Sequence, residues 1–267
     1  MGSPPPPAAG RTAQDGSPYP DRLRPTFERD VRAMFTHIAR RYDWFDHVAS
    51  LGNDFLWRPR ALWDLDRFRE GHTVGRVLDV GCGTGDFTRL AARHFTRAGV
   101  TGADFTRAML ERASIRTQSE GARPRIGFVE GSALSLPFAA GAFDVVLSAF
   151  VVRNLPRLPD AFREMRRVLK PGGTLLTLEI TEPASPRFRR AFHQYFDHVV
   201  PFLGSLVQSS GPYRYLPESL RYLPDQAGML DLLSRSGFER VEARPQSMGI
   251  VTTYLARAGA AAPAERR

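Results

Sequence analysis

A chain of 267 residues with 42% hydrophobic and 24% charged side chains has apolar material for one large domain with appendages, which excludes a wholly disordered chain. No apolar run reaches the ~18 residues of a membrane span, and Cys82, the single cysteine, excludes intrachain disulfides and cysteine-rich zinc sites and fits a reducing cytoplasm. The net charge of +9 is carried by arginine, with Lys170 the only lysine; the arginines are spread out rather than gathered into a patch, so no nucleic-acid partner is expected.

In chain order, residues 1–25, with Pro4 to Pro7 and almost nothing to bury, read as a tail without a signal-peptide core. Residues 26–70 read as a helical cap with periodic apolar positions at Val31, Phe35, Ile38, Tyr42, Leu56, Ala61 and Leu65, interrupted at Ser50-Leu51-Gly52-Asn53. From 71 to 184, strand candidates at 75–80, 98–103, 125–130, 143–149 and 173–180 alternate with helix candidates at 85–97, 106–119 and 158–169. That alternation predicts an α/β fold with a mostly parallel sheet and helices on both faces, and ligands beyond the carboxyl ends of the strands. Lys170-Pro171-Gly172-Gly173 reads as a helix stop before the fifth strand. Residues 185–222 form an aromatic-rich helical insertion (Phe188, Phe192, Tyr195, Phe196, Phe202) suited to a substrate lid, although aromatics at helical spacing also serve plain packing. Residues 223–257, with a helix at 224–236 and strands near 238–244 and 249–256, close the sheet; 258–267 read as a second tail.

The chemistry concentrates at Asp79-Val80-Gly81-Cys82-Gly83-Thr84-Gly85-Asp86. Glycines there let the chain turn sharply from strand to helix and let a ligand approach closely. A phosphate loop needs Gly-Lys-Ser/Thr and a dinucleotide fingerprint reads GxGxxG; this run is GxGxG with Asp104 nineteen residues beyond Gly85, the pattern of S-adenosylmethionine (SAM) methyltransferases. The fold expected is therefore the Rossmann-like class I methyltransferase with seven strands. Gly81, Gly83 and Gly85 lie along the amino-acid portion of SAM, Thr84 offers a hydroxyl, and Asp79 takes the ammonium. Asp104 accepts from the ribose diol, or caps the helix starting at Thr106, or both. Phe105 and Met109 contact adenine, Ser132 and Ala133 follow the third strand where an acceptor for the adenine amino group is expected, and Ala149 and Phe150 end the fourth strand beside the sulfonium. No metal is expected, since His193 and His198 are five apart and helical metal pairs prefer four. Either of them, or His37 or His47, could serve as a general base.

Five stretches carry a more specific likeness: Phe35-x-x-Ile38-Ala39-x-x-Tyr42-Asp43 with Ser50-Leu51-Gly52 and Trp57; the glycine loop; Leu136-Pro137-Phe138 with Phe143-Asp144; Arg153-Asn154; and Tyr213-Arg214-Tyr215-Leu216-Pro217-Glu218-Ser219-Leu220. On these the chain resembles the UbiE/MenG family of ubiquinone/menaquinone biosynthesis C-methyltransferases. The resemblance implies C-methylation of a small-molecule prenylated quinol with SAM as methyl donor, Arg153 and Asn154 as the ring-activating pair, and Tyr42, Phe150, Tyr213 and Tyr215 on the quinol side. Because arginine stays protonated, Arg153 is assigned to stabilising the developing phenolate, with a loop-anchoring ion pair as its structural alternative. A hydrophobic acceptor also implies transient contact with the inner face of a membrane, through lid aromatics flanked by Arg187, Arg189 and Arg190; a homodimer is compatible with all of this. The family's Phe-Gly-Leu-Arg-Asn is here Phe150-Val151-Val152-Arg153-Asn154, and its usual ending is here Gly249-Ile250-Val251-Thr252-Thr253-Tyr254. These departures leave a soluble aromatic or polyketide acceptor as a second reading; a non-catalytic SAM-binding assembly partner is a third.

Overall fold

The structure is a computed structural model that describes residues 27–38, 54–119, 125–195, 219–220 and 223–259. A seven-stranded sheet runs in the order β3-β2-β1-β4-β5-β7-β6, with β1 Arg76–Val80, β2 Gly99–Asp104, β3 Ile126–Glu130, β4 Phe143–Ala149, β5 Leu169–Ile180, β6 Phe238–Gln246 and β7 Val251–Ala258. Neighbouring pairs among β1 to β5 are parallel, and β7 runs antiparallel to both β5 and β6. This is the predicted class I methyltransferase architecture. The strand order reverses direction between β1 and β4, which opens a crevice at their carboxyl ends.

Alternation along the central strands divides the core. On one face Leu78, Val146, Leu175 and Tyr254 pack with Phe162 and Met165 of helix α5 (Leu158–Val168) and Met229 and Leu233 of α7 (Gln226–Arg235). On the other, Val77, Leu147, Leu176 and Leu255 pack with Ala61, Leu62, Leu65 and Phe68 of α2 (Asp54–Phe68) and Phe87, Ala91 and Ala92 of α3 (Asp86–His94). Removing one such leucine would cost about 2–5 kcal/mol, the transfer energy plus a cavity. Helix α4 (Arg107–Ser119) covers β2 and β3, and α1 (Phe27–Ile38) packs against α4.

Three local expectations change. Leu56, read as inward-facing, is 66% exposed, and its neighbour Trp57 takes the buried place at 7%, because the buried stripe of α2 follows Trp57, Ala61, Leu65 and Phe68. Lys170-Pro171-Gly172-Gly173 does not precede β5 but bulges within it: Leu169 pairs with Phe143 and Thr174 with Val145. Burial of Leu169 starts the strand four residues early, and Gly172 at φ +74° takes up the bulge. The lone lysine there donates to Asp144 Oδ1 at 2.6 Å, while Asp144 Oδ2 accepts from the Gly75 and Arg76 amides at 2.9 and 2.8 Å. Lys170 thus joins the starts of β1, β4 and β5. Finally, Phe192 of α6 (Pro186–Gln194) is buried at 5% whereas Phe188 is 43% exposed. No helix among the described residues is long and apolar enough to cross a membrane.

Candidate active site

Two adjoining hollows share Gly81, Gly83 and Ala149 at the ends of β1 and β4. The larger, of about 690 Å³, is walled by Asp104, Phe105, Met109, Ser132, Phe150 and Asn154, with Ala133 also on its surface. The smaller, of about 360 Å³, holds Asp79, Thr84, Asp86 and Arg58.

The glycine loop shapes both. Gly81 has φ +70°, and a side chain there would overlap the Val151 methyls; Gly83 has φ +53° and faces open space. Only glycine satisfies both conditions without strain. The loop is anchored by Gly81 and Cys82 amides donating to Ala103 O at 2.7 and 3.0 Å. Asp104 braces it from β2: Oδ2 accepts from the Gly83 amide at 2.9 Å and Oδ1 from the Thr106 amide at 2.8 Å. Burial raises the Asp104 carboxyl above its usual range against the pull of those two amides. The helix starts at Arg107 rather than Thr106, so Asp104 braces the turn ahead of it rather than capping it, and the same carboxylate lines the larger hollow.

Asp79 is 1% exposed and accepts from the Thr88 hydroxyl at 2.6 Å. Burial pushes its carboxyl up to about 7, with the Thr88 hydrogen bond and Arg58 working the other way. A buried acid with so little counter-charge is suited to an ammonium. Asp86, by contrast, accepts from Arg89 at 2.6 Å and Arg116 at 2.9 Å; burial opposes ionisation, yet Arg116, Arg58 and Arg89 together hold it below the ordinary carboxylate range. The Thr84 hydroxyl oxygen accepts from Arg116 at 3.0 Å. Burial raises the Cys82 thiol well above its usual value, so it is an inert filler against Gly102 rather than a nucleophile.

Beyond β4 the wall is aromatic and ionic. Phe150 sits at φ +62°, unusual for a bulky residue and costing roughly 1–3 kcal/mol. It is held by its amide donating to Leu178 O at 2.7 Å and by the Trp57 ring at 6.1 Å. Trp57 Nε1 in turn donates to Ser247 Oγ at 2.8 Å. The short 3-10 turn Val152–Asn154 follows. Asn154 lines the larger hollow, and Arg153 lies behind Phe150, its guanidinium carbon 5.8 Å from the ring centre. Arg153 Nη1 donates to Glu179 Oε1 at 2.6 Å and its amide to Oε2 at 3.2 Å, both groups being buried. The ion-pair alternative for Arg153 is thus a contact the molecule makes.

At the far end, Ser132 Oγ donates to Glu28 Oε1 of α1 at 3.3 Å, and Phe35 of α1 joins the same wall. Glu28, Arg58 and Glu179 escaped the sequence reading. Glu179 carried a signal, as the one acid in the apolar run of β5; the other two are surface-type residues on helices, without one. Tyr42, Tyr213 and Tyr215 lie outside the described residues, as do His47 and His198; His193 is on the surface, 3.4 Å from Glu182. Among the described residues no group of three His, Cys, Asp or Glu could hold a metal ion.

The donors and acceptors suit SAM: buried acids for an ammonium and a diol, an apolar slot at Phe105 and Met109 for a purine, and a glycine floor that any Cβ would obstruct. Comparisons agree. The ubiE/COQ5 methyltransferase family pattern matches residues 24–257. The ubiquinone/menaquinone biosynthesis C-methyltransferase UbiE of Syntrophotalea carbinolica is 38% identical over 226 residues, 85% of this chain and 93% of that one. The demethylmenaquinone methyltransferase of Deinococcus radiodurans is 40% identical over 227 residues, 84% and 91% of the two chains. Among solved structures, Haemonchus contortus phosphoethanolamine N-methyltransferase 2 in complex with S-adenosyl-L-methionine superposes with a TM-score of 0.58 at 18% identity, spanning 84% of this chain and 60% of that one. That likeness speaks for the fold alone.

Proposed function

The chain belongs to the ubiE/COQ5 methyltransferase family, and from that premise we propose that it C-methylates the ring of a prenylated, demethylmenaquinol-like quinol using SAM. The observation that carries the reading is the turn after β4, where an amide (Asn154) edges the cofactor hollow and a buried guanidinium (Arg153) stands behind the Phe150 ring.

Bound SAM supplies an electrophilic methyl on its sulfonium. Asp79 would hold the ammonium, Asp104 the ribose diol, and Phe105 and Met109 the adenine faces. Ser132, with Glu28 beside it, would accept from the adenine amino group, and the loop glycines and the small side chains of Ala133 and Ala149 keep the floor low. A phenol ring becomes a carbon nucleophile when its hydroxyl proton passes to a water and charge reaches the ortho carbon; once that carbon has taken the methyl from the sulfonium, it loses its own proton to water and the aromatic ring is restored. The fixed positive charge of Arg153 would lower the cost of that phenolate, and Asn154 would orient the ring oxygen. Arginine does not give up its proton, so Arg153 is no base. Glu179 keeps the guanidinium in one orientation through a charge-assisted hydrogen bond. Tyr42, Tyr213 and Tyr215 remain candidates for the quinol side.

A prenyl tail brings the enzyme to a bilayer surface. Phe188, 43% exposed between Arg187 and Arg190 on α6, supports such contact; buried Phe192 takes no part in it. The second reading, a soluble aromatic or polyketide acceptor, is favoured by Val151, whose methyls crowd Gly81 at the acceptor end. Turnover of labelled SAM with a reduced demethylnaphthoquinol carrying a prenyl tail, against the same ring without one, separates them. A kcat/KM at least tenfold higher for the tailed quinol is expected; equal values, or turnover of the tail-less ring alone, would overturn the quinol assignment.

A further inference from the structure

The methionine end of SAM is a zwitterion, and the groups assigned to it above answer only its positive half. Asp79 and Asp86 both line the smaller hollow, so an incoming carboxylate would meet two acids there. Among the described residues on that wall the one cationic side chain is Arg58. It comes from α2, about twenty residues before the loop, and its guanidinium carbon lies 5.3 Å from the centre of the Phe150 ring. The helix presenting it is fixed on both sides: the next-door Trp57 is hydrogen-bonded to Ser247, and Ala61, Leu62 and Leu65 are buried against the sheet.

Arg89 and Arg116 stand near the same loop and hold Asp86 and the carbonyl and hydroxyl of Thr84; neither lines the smaller hollow, and Arg58 does. Arg58 is within electrostatic reach of both acids, drawing the carboxyls of Asp79 and Asp86 downward. A guanidinium held over an aromatic ring by cation–π attraction can offer its N–H edge to a carboxylate, which accepts two parallel hydrogen bonds from it.

We infer that Arg58 binds the carboxylate of the methionine moiety of SAM, so that the N-terminal helix is part of the cofactor site and not only its cover. Arg58 and Asp79 then form a complementary pair of charges for the two ends of the amino acid. The positive sulfonium is shielded from Arg58 by the carboxylate it holds. This rests on the SAM reading and adds to it the residue that recognises the carboxylate.

The test compares SAM with its decarboxylated analogue, which keeps the sulfonium and the amine and lacks only the carboxylate, by calorimetric titration of the full chain. Wild type should bind SAM about 10–100-fold more tightly, the value of hydrogen bonds to a charged group. In Arg58→Met, which keeps the packing on Phe150, that preference should fall to within about threefold, with little change for the analogue. Arg58→Lys, a milder change to the same contact, should give an intermediate ratio. A wild type that binds both ligands equally overturns the inference, and so does an Arg58→Met variant that keeps the preference or loses both ligands alike. If wild type binds neither, the SAM reading itself falls. Should Arg58→Met not fold, the wild-type ratio and the Arg58→Lys ratio decide: a preference that Lys weakens supports the inference, and an unweakened one overturns it.

Discussion

The two halves of the crevice are built by different means. On the β1–β2 side the wall is mostly backbone: a glycine loop, the amides that anchor it to Ala103, and one carboxylate, Asp104, spanning Gly83 and Thr106. On the β4–β5 side the wall is Phe150, backed by side chains brought from far apart: Trp57 and Ser247 beside its ring, and Arg153 against Glu179. The first half is specified by turn chemistry and tolerates little change. The second is specified by packing, so an acceptor pocket can be reshaped by single substitutions such as a valine at 151 while the cofactor cradle stays intact. That division suits an enzyme family in which the methyl donor is constant and the acceptor is not.

Breaking the acceptor side should leave the cofactor side working. Arg153→Ala is expected to lower kcat by about 10²–10³-fold and to leave SAM affinity within about threefold. Because it strands Glu179 in the interior, it should also cost about 3–5 kcal/mol of stability, so titration and melting belong beside the kinetics. If SAM binding falls in step with kcat while the melting point holds, the two halves are not separable. The converse change, Asp104→Asn, should weaken SAM binding about 10–100-fold, with kcat at saturating SAM within about threefold of wild type. Glu179→Gln keeps shape and hydrogen bonding but removes the charge that orients Arg153, and a fall in turnover of about tenfold with unchanged SAM affinity is expected; an unchanged rate would make Glu179 merely structural.

Asp79 sharpens the comparison through pH. Its carboxyl is raised by burial to about 7, so between about pH 4 and 7 the native state holds a proton that the unfolded chain has released. Stability from this group is therefore full below about pH 4 and is lost as pH rises through about 7. Asp79→Asn should abolish that loss. Without ligand, its advantage over wild type should be near zero at pH 4 and grow to at most about 4 kcal/mol at pH 8, while SAM binding weakens. Denaturant unfolding across that range checks it, and an advantage that shrinks with pH would reverse the assignment. The smallest effect lies outside the crevice: Phe188→Ser should reduce binding to anionic vesicles by about fivefold with turnover of a tail-less quinol unchanged.

The same division explains what could be read in advance. Asp79, Gly81, Gly83, Gly85 and Asp104 are legible because positive-φ turns and strand ends leave marks within a few residues. The mostly parallel sheet with helices on both faces follows from the βα alternation; the strand order had to come from the structure. Lys170-Pro171-Gly172-Gly173 misled because its residues signal a stop whether the chain turns before a strand or bulges within one; only the burial of Leu169 distinguishes them. Leu56 misled because one step of helical phase exchanges it with Trp57. Arg58 and Glu28 were invisible for a different reason: each acts across the fold, Arg58 on a wall whose other residues lie at least twenty positions away and Glu28 on Ser132, more than a hundred positions away.

The most direct measurement is the position of the transferred methyl. With SAM carrying a ¹³C methyl and reduced demethylmenaquinone as acceptor, NMR of the product should show the label on the ring carbon ortho to a hydroxyl, and its formation should collapse in Arg153→Ala while SAM still binds. A label on oxygen, or no product from wild type that binds SAM tightly, would contradict the account.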